Sequence, residues 1–300
     1  MKSLKVNCAL ITTLLFWASA FVGIRIGLES YSPGSLALLR FLVASVCMGI
    51  IYYCLPGKKR LTGTDRILLL FIGVVGIGIY NICLNIGETV VSAGIASFII
   101  GLMPVFTIIL SILFLGERPG RRVGLGILIS FVGLFLLVLS EKNSTVGIGV
   151  LLILVSAFCG SFYSITQKRF LRNYHPVAIT AWVIWGGTLF LLWFILDLWH
   201  ELPRASFKAT GAAVYMGIFP AALAYVAWCY VLNHLPASSA SIYLYALPVL
   251  STVMGCLILK EYPSWLSLMG GSIALIGAFI ANRKKKPVYL CVQSSRITLR

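Results

Sequence analysis

Of the charged side chains in this sequence, Arg40 is the buried one most in need of a partner. It lies about six residues inside the apolar run Ser35–Leu55, or about 9 Å from the run's outer end at helical rise. A guanidinium buried that far in a bilayer costs about 3 kcal/mol or more unless it is paired or hydrated. Glu29 and Glu88, in neighbouring loops, are its candidate partners. Such a cation can bind a substrate carboxylate or form a gating ion pair. A snorkelling anchor or a structural pair would leave the same trace in sequence. Glu88 is also a candidate carrier of a coupling proton. Arg25 and Glu29 are four residues apart at the end of the first run and read as an ordinary surface pair. Glu117 and Glu261 close two equivalent runs and read as structural, since a carboxylate at a helix C-terminus is unfavourable unless paired.

Neutral polar and aromatic residues recur at helical spacing. Gly160, Tyr163, Ser164 and Gln167 share one face of a run, and Tyr225 and Trp228 are three apart in another. Ser241, Tyr243 and Tyr245 fall in a third, Tyr80, Asn81 and Asn85 in a fourth, and Trp17 and Ser19 in the first. Groups of this kind line pockets for small organic molecules, although small residues also serve close helix packing. As a set they predict a wet central cavity with little fixed charge. That suits a zwitterion or a neutral, partly aromatic metabolite better than a phosphate or polyanion. Pro104 and Pro248 stand in mid-run, where each removes a backbone hydrogen bond and predicts a kink. The freed carbonyls would lie near a cavity at the midplane. No Walker A loop, HExxH, nucleophile elbow or pair of catalytic carboxylates occurs, so the expectation is neither an ATP-driven pump nor an enzyme. No cofactor or metal is expected. The eight cysteines lie mostly in apolar runs without CxxC or His/Cys spacing, as small core hydrophobes would.

Holding these residues at fixed depth requires long apolar elements. The 300-residue chain is 60% hydrophobic and 11% charged, against about 45–50% and about 25% for soluble domains. That excludes a soluble enzyme, a disordered chain and a membrane protein with a large extramembrane domain. Ten apolar runs can be read: Val6–Ile26, Ser35–Leu55, Ile67–Ile86, Ala93–Leu115, Val123–Leu139, Gly147–Thr166, Val177–Leu196, Thr210–Leu232, Ala237–Leu259 and Trp265–Ala281. Each is long enough to cross about 30 Å of hydrocarbon as a helix. The fold class expected is therefore an all-α polytopic membrane protein of ten transmembrane helices. Lys2 and Lys5 ahead of a run ending in Ala18-Ser19-Ala20 resemble a signal peptide. Nine further runs and the repeat described next favour a span instead.

The net charge of +16 arises from 24 basic and 8 acidic residues. The basic residues cluster in alternate loops. With the N-terminus inside, 18 of the 24 fall on the inner side and 4 (Lys142, Arg204, Lys208, Lys260) on the outer, while Arg25 and Arg40 lie in or near the membrane. This is the positive-inside pattern and not a nucleic-acid surface. It predicts both termini in the cytoplasm of a multi-pass protein of the cell's inner (plasma) membrane.

Shifting the sequence by 144 residues superimposes its second half on its first. Gly73 meets Gly217; Ala93, Ala96 and Ser97 meet Ala237, Ala240 and Ser241; Pro104 meets Pro248. Glu117 and Pro119 meet Glu261 and Pro263, and Gly126 and Gly133 meet Gly270 and Gly277. The first two runs of each half match more loosely, with Pro33 facing Pro176. An odd number of spans per repeat puts the copies in opposite senses. Such an inverted-topology repeat is the architecture of secondary transporters with a substrate site near the midplane. The divisions are a first five-helix repeat (1–143), a second, inverted one (144–282) and a basic cytoplasmic tail (283–300).

The motifs Phe16-Trp17-Ala18-Ser19-Ala20-Phe21, Pro33 … Arg40 and Pro104 … Glu117 … Gly126 … Gly133 carry a resemblance. So do Phe219-Pro220-Ala221-Ala222-Leu223-Ala224-Tyr225 … Trp228, Ala237-Ser238-Ser239-Ala240-Ser241, and Pro248 … Glu261 … Gly270. Over about residues 5–282 the chain resembles the EamA-type family of the drug/metabolite transporter superfamily. It departs from that pattern at Arg25, where relatives commonly carry Lys, and at Cys159, whose repeat partner is Trp17. The resemblance implies a lipid-embedded secondary carrier of a small organic metabolite, working by alternating access, with an amino acid or related zwitterion as substrate and export favoured. An importer or exchanger of a nucleoside-like metabolite or of a cofactor such as S-adenosylmethionine is the alternative. A non-transporting membrane partner is the reading from another class. Proton coupling is a further expectation.

Overall fold

The computed structural model describes residues 2–56, 60–115, 121–139, 146–235 and 240–282. Glu117, Pro119, the 143/144 boundary and the tail 283–300 lie outside the described residues. Among the described residues there are helices and no strands. We number them α1 (Lys2–Gly27), α2 (Pro33–Cys54), α3 (Gly63–Glu88), α4 (93–115), α5 (Arg121–Leu139), α6 (Gly147–Arg172), α7 (Pro176–Glu201), α8 (Phe207–His234), α9 (Ser241–Leu259) and α10 (Trp265–Asn282). Eight are long and apolar enough to cross a membrane. The apolar parts of α5 and α10, Arg122–Leu136 and Trp265–Ala281, are shorter.

The starts of these helices follow from local chemistry. Ser32, Thr62, Ser92 and Ser206 each accept a backbone N–H in the first turn of α2, α3, α4 and α8. A cap of this kind is worth about 1 kcal/mol. Pro33 and Pro176 open α2 and α7, where the missing N–H costs nothing. The surface is apolar where lipid would lie, with Ile50, Ile67, Leu128, Phe135, Leu151 and Leu257 exposed. Trp199, Phe207, Tyr262 and Trp265 stand out at one end, as interfacial aromatics do.

Four of the helix interruptions form two matching pairs, while the π turn at Gly255–Leu259 and the 3₁₀ turns at Gln167–Arg172 and Leu192–Phe194 have no counterpart among the described residues. A widened π turn runs through Val74–Ile79 of α3 and another through Gly217–Leu223 of α8, which correspond under the shift of 144. In α4 the α-helix stops at Ile100 and restarts at Met103, just before Pro104. In α9 a 3₁₀ stretch, Ser241–Ala246, gives way to α-helix at Leu247, just before Pro248. The expected kinks thus take the form of a restarted helix one residue ahead of each proline.

Packing is reciprocal as well. Helix α5 crosses α10 at near-backbone contact: a Cβ at Gly133 would lie 2.2 Å from the Ala274 nitrogen, and one at Gly277 2.4 Å from the Ser130 nitrogen. Ser130 Oγ donates to the Ala274 carbonyl at 3.0 Å, which joins two residues 144 apart. Helix α2 meets α7 through the Ser45 and Thr188 hydroxyls (2.7 Å) and through Trp185 Nε1, which donates to the Ser45 carbonyl. Helix α1 packs on α8, where Trp17 Nε1 donates to the Pro220 carbonyl (3.2 Å). In the other half α6 packs on α3, where Ser156 Oγ donates to the Tyr80 carbonyl (2.8 Å). Helix α1 is thus packed into the bundle, with Ala18, Phe21 and Ile24 buried.

Candidate functional site

A narrow central cavity lies where α1, α3, α4, α6, α8 and α9 converge on α2. Its volume, measured at water centres, is about 40 Å³. Helix α1 presents Trp17, Ala20, Phe21 and Ile24, which share one face at i, i+3, i+4 and i+7. Helix α3 presents Gly76, Tyr80 and Leu84 at four-residue steps, and α6 presents Gly160, Tyr163 and Ser164. Ile100 and Met103 flank the break in α4, and Leu247 begins the α-helical part of α9. Pro104 lacks the N–H that would bond the Ile100 carbonyl, so the break brings polar backbone to the cavity wall.

Arg40 is the one ionisable cation in that wall, and it is 4% exposed. Its NH1 donates to Asn81 Oδ1 at 3.2 Å, and its guanidinium carbon stands 5.3 Å from the Phe41 ring centre. Its Nε has no hydrogen-bond partner. Asn81 is held ready by its own Nδ2, which donates to the Ile77 carbonyl one turn back (2.8 Å). The expected partnership of Arg40 with Glu29 or Glu88 does not form. Glu29 pairs with Lys208 at the surface, and Glu88 makes no ion pair among the described residues.

Tyr225 lies within electrostatic reach of Arg40, with Trp17, Phe41 and Tyr163 around it. Its ring lies 5.4 Å from Trp17 at 71°, 6.5 Å from Phe41 at 89° and 5.7 Å from Tyr163 at 50°. Trp228 lies behind, 5.4 Å from Trp17 and fully buried. None of these ring pairs is parallel.

Of the residues singled out from sequence, Trp17, Arg40, Tyr80, Tyr163 and Tyr225 line the cavity, and Asn81 supports Arg40. Ser19 faces away, bonded to the Phe16 carbonyl and the Tyr215 hydroxyl. Gln167 and Ser241 are buried beyond the wall, and Tyr243 is 48% exposed. The apolar lining residues Phe21, Ile24, Leu84 and Ile100 were not anticipated. The i, i+4, i+7 spacing of Trp17, Phe21 and Ile24 was the available signal.

Next to the cavity, a polar vestibule opens at the end of the bundle formed by the α1–α2, α3–α4 and α9–α10 turns. Arg25, Ser92, Thr252, Glu261 and Tyr262 are among its lining residues. Arg25 does not pair with Glu29. Its Nε donates to Glu261 Oε1 at 3.0 Å and its NH1 to the Glu88 carbonyl at 2.6 Å. Glu261 Oε2 accepts the Ala93 N–H at 3.1 Å. The carboxylate that ends α9 thus serves the N-terminus of α4, where a negative charge is favoured. Among the described residues no cluster of His, Cys, Asp or Glu could hold a metal ion.

Comparison with known proteins identifies what this arrangement is similar to. The model of the EamA-like transporter family matches residues 4–139 and again 147–283. An uncharacterized transporter, YdfC, of Bacillus subtilis (strain 168) is 39% identical over 263 residues, 87% of this chain and 85% of that protein. A probable terminal-alkyne amino-acid exporter of Streptantibioticus cattleyicolor is 32% identical over 284 residues, 95% of each. A solved crystal structure of a protein superimposes with a TM-score of 0.65 at 20% identity, covering 92% of this chain and 96% of its own, a likeness of fold.

Proposed function

Since the chain belongs to the EamA-like transporter family and is a multi-pass membrane protein, we propose that it is a secondary carrier exporting a small zwitterionic metabolite of the amino-acid class. The observation that carries this reading is Arg40: a buried guanidinium, bonded to one neutral side chain, in the wall of an otherwise uncharged cavity. A carboxylate would gain charge-assisted hydrogen bonds from its spare donors. The remainder of a small metabolite would rest on Trp17, Phe21 and Tyr163, with Ser164 and Tyr80 available as polar contacts. The proposed substrate class and direction follow the name of one relative, a probable terminal-alkyne amino-acid exporter 32% identical to this chain.

The architecture we propose is ten spans in two inverted five-helix repeats, 1–143 and 144–282, that rock about the cavity. Support comes from the two family matches, the paired π turns and the bond from Ser130 to its counterpart Ala274. The 18-to-4 division of basic residues supports cytoplasmic termini, a cytoplasmic tail 283–300 and residence in the plasma (inner) membrane. A nucleoside-like substrate is the second reading, which the aromatic groups Trp17, Tyr163 and Tyr225 at the cavity keep open.

The test is uptake into liposomes holding the purified protein, without ATP, against panels of amino acids and nucleosides. Competition by amino acids that Arg40→Ala weakens about 10- to 100-fold is the expected result. Competition by nucleosides alone, or electrodiffusive ion flux alone, overturns the reading.

A further inference from the structure

Glu88 is fully buried, and neither of its carboxylate oxygens has a hydrogen-bond partner. Its own backbone carbonyl, in contrast, accepts the 2.6 Å bond from Arg25. Arg25 therefore already touches the Glu88 residue while its Nε serves Glu261. The charged groups within electrostatic reach of the Glu88 carboxyl are Arg25 from α1, Arg40 from α2 and Glu261 from the α9–α10 turn. The stretches of α4 and α6 near this turn, 93–97 and 149–153, carry no ionisable side chain. An ionised carboxylate without a donor is costly in such a place, so it must either hold a proton or take a cation.

The same turn separates the two spaces. Below it, Ile24 and Leu84 line the central cavity. Above it, Arg25, Thr89, Ser92 and Glu261 line the vestibule. The bonds of Arg25 and Glu261 to each other, to the Glu88 carbonyl and to the Ala93 N–H tie α1, the α3–α4 turn and the α9–α10 turn across this boundary.

We propose that Glu88 is a proton-binding site that controls this latch: protonated, it leaves Arg25 to Glu261; on losing its proton to vestibule water, its carboxylate takes Arg25 and the latch opens. Glu261, partly exposed, is then left as a hydrated carboxylate that still accepts the Ala93 N–H. Each proton carried by Glu88 would accompany one closing of this end. The proposal rests on the carrier reading given above and supplies its coupling ion. It needs no knowledge of the substrate.

The experiment uses the full-length chain in lipid nanodiscs without substrate, its native cysteines replaced. Spin labels are attached at Thr89→Cys and Tyr262→Cys, exposed positions on the two sides of the latch. The parent should show a short separation at acid pH and a longer population growing with alkalinity, with at least a tenfold change in their ratio. Glu88→Gln, which is isosteric and always neutral, should keep the short separation at every pH. Glu261→Gln should show the longer population already at acid pH. Infrared spectra of the unlabelled protein should contain a protonated-carboxyl stretch at acid pH that Glu88→Gln removes. A parent without pH response, a Glu88→Gln variant that opens with pH like the parent, or a missing carboxyl band each overturns the proposal. Failure of the amino-acid substrate class would leave all of these readouts unchanged.

Discussion

Arg25 and Arg40 stand on adjacent helices, about 15 residues apart in sequence, and the structure treats them differently. Arg25 is partly exposed at the vestibule, and both its described bonds go to strong acceptors, a carboxylate and a carbonyl. Arg40 is buried at the cavity and has one neutral acceptor, one ring and an idle Nε. A half-exposed ion pair nets about 1 kcal/mol or less, because water competes for both partners. It can be made and broken on each cycle. A buried guanidinium with spare donors is costly while its site is empty, and it rewards a carboxylate that arrives. On the proposed roles, the contrast separates closing the site from filling it.

Breaking the filling side should have the largest effect. Arg40→Ala should lower kcat/KM for a carboxylate-bearing substrate about 10- to 100-fold, the equivalent of about 1.5–3 kcal/mol for hydrogen bonds to a charged group. An analogue without the carboxylate should be transported equally by both proteins, and initial rates in liposomes compare them. Arg40→Lys keeps the charge but loses the fork and should fall between. Asn81→Ala removes the partner that aims Arg40, and about a fivefold rise in KM is expected. Glu261→Gln acts on the closing side, where the ion pair is 32% and 24% exposed; its cost should stay below about fivefold. The difference from the parent should also shrink at high salt, since exposed charges are screened. Smallest of all, Glu29→Gln breaks a 3.4 Å pair whose members are about half exposed or more, and no change in transport rate is expected. If Glu261→Gln proved as damaging as Arg40→Ala, the division of labour between the two arginines would be wrong.

Much of this was legible in sequence, and the errors have specific causes. The i, i+4 rule paired Arg25 with Glu29, but α1 ends at Gly27 and Glu29 lies in the turn beyond it. The rule holds only inside a helix, and Arg25 instead reaches a residue far along the chain. Glu88 was an expected partner for Arg40 because it is charged. Depth decides otherwise: Arg40 is seven residues from the start of α2, and Asn81 is seven from the end of α3. Antiparallel neighbours place those two at one level, a count that the run boundaries alone would have allowed. Tyr243 was placed with Ser241 as a cavity residue, but residues two apart on a helix point to different faces, so with Ser241 buried Tyr243 is turned away from it. The side chain emerges at the surface.

Period, length and punctuation are local properties, and the sequence by itself determined what depends on them. The apolar runs, their capped and proline-marked starts and the interruptions at Pro104 and Pro248 follow from neighbours along the chain, and the shift of 144 from comparing the chain with itself. Tertiary structure alone decided which helices touch. Only then does Trp17 meet Tyr225, Glu261 close on Arg25 and cap α4, and Glu88 come to rest without a partner between two arginines. Those contacts join residues up to more than two hundred positions apart. Their geometry is set by the packing of whole helices, by glycine faces such as Gly133 and Gly277 that let backbones meet, which no window along the chain contains.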